Sequence, residues 1–254
     1  PAPLIFTGGA CRDPKAAACH EQNAPGCRSA CDQGDSGACF TLARLTAESA
    51  EASPLLERAC KGGVARACLE RADQLVANLP AGQTPAEMRA IADQTRPLLE
   101  QACALGSAEG CGKLAYSIFD DPNARFEAAQ RGCKLGSARG CKQQHNSLRR
   151  GEGTKKDPVA AVGAAMRACL AGHAELCSAA ARTLRLGDGV PKDLTRARQA
   201  ERLLCLSPER QGDCLNHGQA LSREDRQAAA AFYDGICKRL GQRWACKEAE
   251  LHRQ

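Results

Sequence analysis

The sequence has few aromatic residues: its 254 residues include only 5 Phe, 2 Tyr and 1 Trp. A large single core normally uses many such side chains, because each one buries a great deal of apolar surface. The core of this protein must therefore be built from Ala, Leu and Cys. These side chains favour close contact between helices and bury little area per residue.

Several functional motifs are also missing. No apolar stretch approaches the roughly 18 residues of a membrane span. No C-x-x-C pair and no H-E-x-x-H pair occurs, so we expect no metal site and no cofactor. No Ser is followed by Lys three positions later, and neither a G-x-S-x-G motif nor a phosphate-binding loop is present. We therefore predict that the protein is not an enzyme.

Cysteine is abundant, with 17 residues. Without metal motifs, disulfides are the favoured explanation, and disulfides persist in the periplasm and outside the cell. We therefore expect a periplasmic or extracellular protein. No signal-peptide pattern opens the sequence, so the signal of an exported chain has either been removed or lies outside this sequence.

The cysteines mark an internal repeat. Five segments carry two Cys eight positions apart, with Gly at the third position after the first Cys; they begin at Cys31, Cys60, Cys103, Cys133 and Cys169. Two looser copies, with a spacing of nine, begin at Cys205 and Cys237. Cys11 and Cys19 are eight apart but lack the Gly.

The spacing within each copy predicts a helical hairpin. In one continuous helix the two cysteines would lie about 12 Å apart along the axis, whereas a disulfide needs Cα atoms roughly 4.4–6.8 Å apart. The chain must reverse between them, and Gly is the usual residue just past a helix end. Each unit is then helix, Gly turn and helix with a disulfide across the turn. The predicted bonds are Cys11–Cys19, Cys31–Cys39, Cys60–Cys68, Cys103–Cys111, Cys133–Cys141, Cys169–Cys177, Cys205–Cys214 and Cys237–Cys246.

Because 17 is an odd number, one thiol is left over. We assign it to Cys27, which lies four residues before Cys31 on the same helical face. Cys19 and Cys27 are also eight apart, so Cys11 is the alternative free thiol.

Helix starts can be read from capping residues. Ser53-Pro54, Thr84-Pro85, Asp121-Pro122 and Asp157-Pro158 each place a capping residue before Pro at the first helical position. The run 222–225 (SRED) resembles a capping box. The Pro- and Gly-rich run 79–85 is expected to be a loop.

Two segments, 148–157 (LRRGEGTKKD) and 184–193 (LRLGDGVPKD), together with the cysteine hairpins, resemble the Sel-one-like repeat family and its disulfide-rich bacterial branch, the Hcp-type cysteine-rich proteins. The resemblance covers roughly residues 28–250. It implies an all-α fold, an α/α solenoid in which disulfide-stapled hairpins form a right-handed superhelix related to tetratricopeptide arrays. We expect an irregular segment over 1–30 and a solenoid of about seven hairpins over 31–254.

The resemblance also implies a function. Relatives of this kind suggest a non-catalytic protein-interaction scaffold in the bacterial cell envelope, with an assembly role in a surface or secretion machine. An immunity-type protein that neutralises a toxin and a penicillin-binding or weak β-lactamase-like enzyme are the alternatives.

Partner contacts are expected on the C-terminal part of the chain. Residues 1–100 carry a net charge of −2 and residues 101–254 carry +8, so the second part could attract an acidic protein surface. Phe232, Tyr233 and Trp244 are candidate partner-binding residues, because Tyr and Trp dominate binding hot spots; the alternative is that they seal the final repeat. Basic clusters are short and lack interleaved aromatics, so we expect no nucleic-acid partner.

Reduction of the disulfides should unfold the chain. Closing each short loop contributes about 2.5 kcal/mol in the chain-entropy model, and several such bonds equal a typical domain stability of about 5–15 kcal/mol. Far-UV circular dichroism with excess reductant at 37 °C should show loss of helix, and an unchanged helical melt would refute the prediction.

Overall fold

A computed structural model describes residues 19–20, 23–46, 49–77, 84–205 and 211–253. Over these ranges the chain forms fourteen α-helices and no strand. The all-α class predicted from the sequence is confirmed. The helices are α1 (Ala24–Asp32), α2 (Ser36–Leu45), α3 (Ser49–Lys61), α4 (Ala65–Ala77), α5 (Pro85–Ala104), α6 (Ala108–Ser117), α7 (Pro122–Lys134), α8 (Ala138–Arg150), α9 (Pro158–Leu170), α10 (Ala174–Leu186), α11 (Leu194–Leu204), α12 (Gln211–Glu224), α13 (Arg226–Leu240) and α14 (Arg243–Arg253).

The helices fall into two compact units, residues 1–110 and 111–254. In the first unit each of α1 to α4 packs against the next helix along the chain, and α3 also contacts α5. In the second unit the first helices of the hairpins, α7, α9, α11 and α13, contact one another in sequence. Each of them also packs against the second helix of its own hairpin, which is α8, α10, α12 or α14. Contacts between neighbouring hairpins are typical of helical repeat proteins, in which each repeat is held by its neighbours.

The hairpin turns depend on glycine. The Gly predicted to reverse the chain has a positive φ between 87° and 102° in all five regular repeats, at Gly34, Gly63, Gly106, Gly136 and Gly172. In the first repeat the amide of Gly34 donates to Cys31 O at 2.9 Å, and the next amide donates to Ala30 O at 3.0 Å. These bonds close the helix end as a left-handed Gly cap, so the predicted turn is confirmed.

Capping side chains start many of the helices as expected. The Asp121 carboxylate accepts from two amides of α7, and the Asp157 carboxylate accepts from Ala160 N at 2.9 Å. Thr84 forms a full capping box, because its hydroxyl accepts from Glu87 N while the Glu87 carboxylate accepts from Thr84 N at 2.7 Å. Residues 79–83 of the predicted loop lie outside the described residues.

Two predicted helix starts are wrong. Pro54 lies inside α3, which begins earlier, at Ser49. In the predicted capping box, Ser222 lies within α12 and its hydroxyl is 3.2 Å from His252 Nδ1. Asp225 is the cap instead, and its carboxylate accepts from Ala228 N at 2.9 Å. In both places a helix that began earlier in the sequence continues through residues that resemble a helix start.

The first helical hairpin begins before residue 31, where the sequence had placed the start of the repeats. Helix α1 begins at Ala24, and Asn23 caps it by accepting from Gly26 N at 3.1 Å. Asn followed within two positions by Pro25 is a helix-start signal that the sequence analysis did not use. Residues 1–18 of the expected irregular segment lie outside the described residues.

Each G-x-G loop follows the second helix of a hairpin and packs against the start of the first helix of that hairpin. A Cβ at Gly153 would lie 1.9 Å from Pro122 O, at the start of α7. A Cβ at Gly189 would lie 3.1 Å from the ring of Pro158, at the start of α9. The loop that follows the second helix of a hairpin thus folds over the first turn of the first helix, and Gly allows this close approach.

Gly153→Ala should destabilise the protein more than Gly151→Ala. Both glycines have a positive φ, 70° and 77°, so both variants carry backbone strain of about 1–2 kcal/mol. A Cβ at Gly151 would lie at ordinary contact distance, 3.5 Å from Lys156 N, whereas a Cβ at Gly153 would overlap the backbone of Pro122. Overpacking at Gly153 should therefore lower the free energy of unfolding by about 1–3 kcal/mol more. Urea unfolding of the oxidised variants measures the difference. Equal losses would show that the loop contact contributes nothing.

Candidate functional site

Disulfides cross the hairpins. The observed bonds join Cα atoms 4.2–5.2 Å apart, and Cys103 and Cys111 are also disulfide-bonded. Eight disulfides are present within the described residues. Seven of these bonds are Cys19–Cys27, Cys31–Cys39, Cys60–Cys68, Cys133–Cys141, Cys169–Cys177, Cys205–Cys214 and Cys237–Cys246.

The assignment of Cys27 as the free thiol is wrong. Cys27 is fully buried and bonded to Cys19, with Cα atoms 4.2 Å apart. The reason is local: the amide of Asn23 donates to His20 O at 2.9 Å, and α1 starts directly afterwards, so the chain turns back and brings Cys19 to the helix. The predicted Cys11–Cys19 bond is therefore also wrong. Cys11 itself lies outside the described residues.

Long polar side chains connect neighbouring hairpins at a position that the sequence analysis missed. In three repeats the residue two positions before the first Cys reaches back to the disulfide turn of the preceding repeat. Arg58 Nη2 donates to Cys31 O at 2.6 Å, and Gln101 Nε2 donates to Cys60 O at 2.7 Å. Arg167 Nε lies 3.2 Å from Cys133 Sγ. The recurrence of a long polar residue at this position was the available signal.

Two of the predicted partner-binding aromatics are buried. Tyr233 is fully buried and Phe232 is 8% exposed, so neither ring offers a contact surface, and this part of the prediction is wrong. A Cβ at Gly218 would lie 2.2 Å from the Tyr233 ring, so the missing side chain makes room for the ring. The Tyr233 hydroxyl donates to Leu215 O at 3.1 Å, and burial raises the pKa of Tyr233 to about 12.

Trp244 is half-buried and packs edge-on against Tyr233, with ring centroids 6.1 Å apart. The His252 ring stacks on the Tyr233 ring, with centroids 5.5 Å apart. These rings pack α14 against α13 within the last hairpin, which agrees with the alternative that the aromatic residues seal the final repeat. A partner contact by Trp244 stays a prediction.

A cleft of about 580 Å³ opens between α11 and α13 of the second unit. Apolar side chains of α13 form one wall, and α11 contributes charged side chains to the other. Four arginines and one carboxylate line the cleft: Arg185, Arg198, Arg202, Arg239 and Glu201. The apolar lining comprises Cys205, Ala228, Ala231, Phe232, Ile236 and Leu240, with Gly235 beside them.

Three of the four arginines carry unneutralised charge. Arg198, Arg202 and Arg239 are exposed, and none of them forms an ion pair with a carboxylate of the described residues. The fourth, Arg185, is largely buried and binds the Glu201 carboxylate. The cleft is therefore strongly cationic, with an apolar interior.

A buried ionic network lies beneath this cleft. The Glu201 side chain is 4% exposed, and it pairs with Arg185 on one side while His217 Nε2 lies 3.6 Å from its Oε1 on the other. Burial alone would raise the pKa of Glu201. The Arg185 guanidinium and the neighbouring His217 imidazole outweigh burial, however, and hold the pKa of Glu201 below its usual range. Glu201 thus stays ionised without cancelling the exposed arginines.

Two other negative findings concern the described residues alone. Within them, no group of three or more His, Cys, Asp or Glu side chains is arranged to hold a metal ion. Searched over the same ranges, no helix is both long enough and apolar enough to cross a membrane.

The fold resembles that of solved repeat proteins. A Sel1 repeat protein from Oxalobacter formigenes superposes with a TM-score of 0.53 at 15% identity, covering 72% of this chain and 76% of that one. A protective antigen of uropathogenic Escherichia coli strains that displays an SLR fold gives a TM-score of 0.48 at 15% identity, covering 92% of this chain and 59% of that one. Cysteine rich protein B of Helicobacter pylori gives a TM-score of 0.39 at 22% identity, covering 52% of this chain and 98% of that one.

Neither a protein-family profile nor a curated protein sequence matches the chain. The superposition on the Oxalobacter protein shows the fold, and the hairpin repeats of each unit agree with it. The chain therefore has the Sel-one-like repeat fold that its sequence motifs predict.

Replacing Glu201 should destabilise the protein in a pH-dependent way. Glu201→Gln removes the charge that neutralises Arg185, and loss of one partner from a buried ion pair costs about 3 kcal/mol near neutral pH. Because the folded pKa of Glu201 lies below its ordinary value of 4.5, its stabilisation is present above pH 4.5 and is lost as pH falls through the folded pKa. The difference between wild type and variant should therefore shrink below pH 4.5.

Urea unfolding from pH 7 to pH 3 measures this effect. Glu57→Gln is the matched control, since Glu57 forms an exposed pair with Lys61 at 2.7 Å and such pairs contribute little. A Glu201→Gln variant that is as stable as the control at pH 7 would contradict the role of the network.

Proposed function

We propose that this protein is a non-catalytic, protein-binding repeat scaffold that works in the bacterial cell envelope, in the periplasm or outside the cell. The observation that carries the proposal is the exposed cationic cleft between two disulfide-bonded hairpins. Helical repeat proteins use surfaces between adjacent repeats to bind partners. An assembly or accessory role in an envelope machine is the form of this function that we favour.

The compartment follows from the cysteine chemistry. Disulfides are rare in the reducing cytosol and persist in oxidising compartments. Disulfides that tie every hairpin suit a protein that must keep its shape without a large core. Export into an oxidising compartment is therefore the setting in which this fold can form.

The cleft offers binding groups rather than a reaction centre. General acid–base catalysis needs a titratable group that can reach a substrate proton. Glu201 is buried and paired with Arg185, and the exposed side chains of the cleft are arginines, which stay protonated. These features support a binding function and give a β-lactamase-like mechanism no nucleophile in this cleft.

Affinity capture from a bacterial envelope extract tests the proposal. Oxidised protein immobilised through its C-terminus should retain a defined protein in a fixed ratio at 150 mM salt, and the same protein reduced and alkylated should not. Nitrocefin turnover by the purified oxidised protein is assayed in parallel. Stoichiometric retention that depends on the disulfides supports the scaffold, whereas nitrocefin hydrolysis without any retention would overturn it.

A further inference from the structure

We propose that the cleft between α11 and α13 binds an acidic peptide segment of a partner protein, in which two carboxylates flank an apolar side chain. This inference rests on the proposed binding function and names the chemistry of the partner. The carboxylates would pair with the exposed arginines, and the apolar side chain would enter between the helices.

The three exposed arginines of the cleft are positioned to bind two carboxylates at once. Arg198 and Arg202 are four residues apart on α11, so they project from one face about 5–6 Å apart at their Cβ atoms. Arg239 projects from α13 on the opposite side of the cleft. Guanidinium groups bind carboxylates with two parallel hydrogen bonds, which fixes orientation as well as charge. Acidic side chains at neighbouring positions of one peptide match this spacing.

The interior of the cleft calls for an apolar group. Ala228, Ala231, Ile236 and Leu240 line it, and Leu240 is 37% exposed. A simple inorganic anion would leave these side chains in contact with water. A volume of about 580 Å³ accommodates an apolar side chain together with its flanking backbone.

The charge of its lining distinguishes this cleft from two other clefts of the described residues. The cleft between α10 and α12 is lined by Glu175, Asp213 and Arg182, and a third, beside α5, has both Arg89 and Asp93. Such mixed linings select no single sign of charge. Of these three clefts, the one between α11 and α13 places exposed cations around a carboxylate that is already neutralised.

A peptide fits the cleft better than a nucleic acid does. Single-stranded nucleic acids bind where bases can stack on exposed aromatic rings. The aromatic ring of this cleft, Phe232, is 8% exposed and packs edge-on against His217 at 5.2 Å. It offers no face for stacking.

Selection from a random peptide library tests the inference. Phage displaying fully randomised 12-residue peptides are panned on the intact oxidised protein, and enriched peptides are resynthesised for fluorescence anisotropy. Enriched sequences should contain two Asp or Glu around a large apolar residue. Arg198→Glu, Arg202→Glu and Arg239→Glu combined should weaken their binding at least about tenfold, which corresponds to 1.4 kcal/mol.

A matched variant and a competing ligand complete the experiment. Arg149→Glu, Arg223→Glu and Arg243→Glu change the net charge equally at exposed sites outside the cleft and should change affinity less than about twofold. Circular dichroism confirms that both triple variants are folded; if the cleft variant is not, Arg198→Gln with Arg202→Gln replaces it.

The inference is overturned if no acidic consensus emerges, if both triple variants weaken binding equally, or if a labelled 20-nucleotide single strand binds more tightly than the selected peptides. The envelope capture experiment can still succeed in each of these cases. Retention of a partner by the cleft variant would then preserve the scaffold function and reject this cleft as its site.

Discussion

The disulfide across each helical hairpin is the constraint on which the rest of the structure depends. The buried residues are mainly Ala, Cys and Leu, so a pair of helices buries little apolar surface. A short closed loop lowers the entropy of the unfolded chain and contributes about 2.5 kcal/mol in the simplest description. Repeats that would be weak alone are then stable enough to stack.

The same bonds prepare the surfaces between repeats. Cys205 caps α11, and Cys237 lies in the last turns of α13, so both helices that form the cationic cleft end at a disulfide. The Glu201 network fixes α11 to α10 and α12 from below. A cleft whose walls are already ordered loses less conformational entropy when it binds a partner. Stability and recognition thus share one set of covalent links.

Much of the fold could be predicted from local signals. Cysteine spacing together with Gly34 and its equivalents determined the hairpins, because only a chain reversal brings residues eight apart within disulfide range. The N-terminal pairing could not be decided in the same way. Cys11, Cys19 and Cys27 are equally spaced, and the choice depends on where α1 begins.

The candidate site was less accessible to sequence reasoning. Arg198, Arg202 and Arg239 look like ordinary surface charges until α11 and α13 are placed side by side. Tyr233 looked like a contact residue, whereas the small residue Gly218, on the preceding helix α12, makes the space that buries it. Such pairings depend on the contacts between hairpins, which leave no regular spacing in the sequence.

Mass mapping of the unreduced protein tests the central claim most directly. After alkylation of free thiols and digestion without reductant, cross-linked peptides should report bonds within each hairpin, including Cys19–Cys27 at the N-terminal end. Extensive alkylation of cysteines 19–246, or bonds that join different hairpins, would contradict the account.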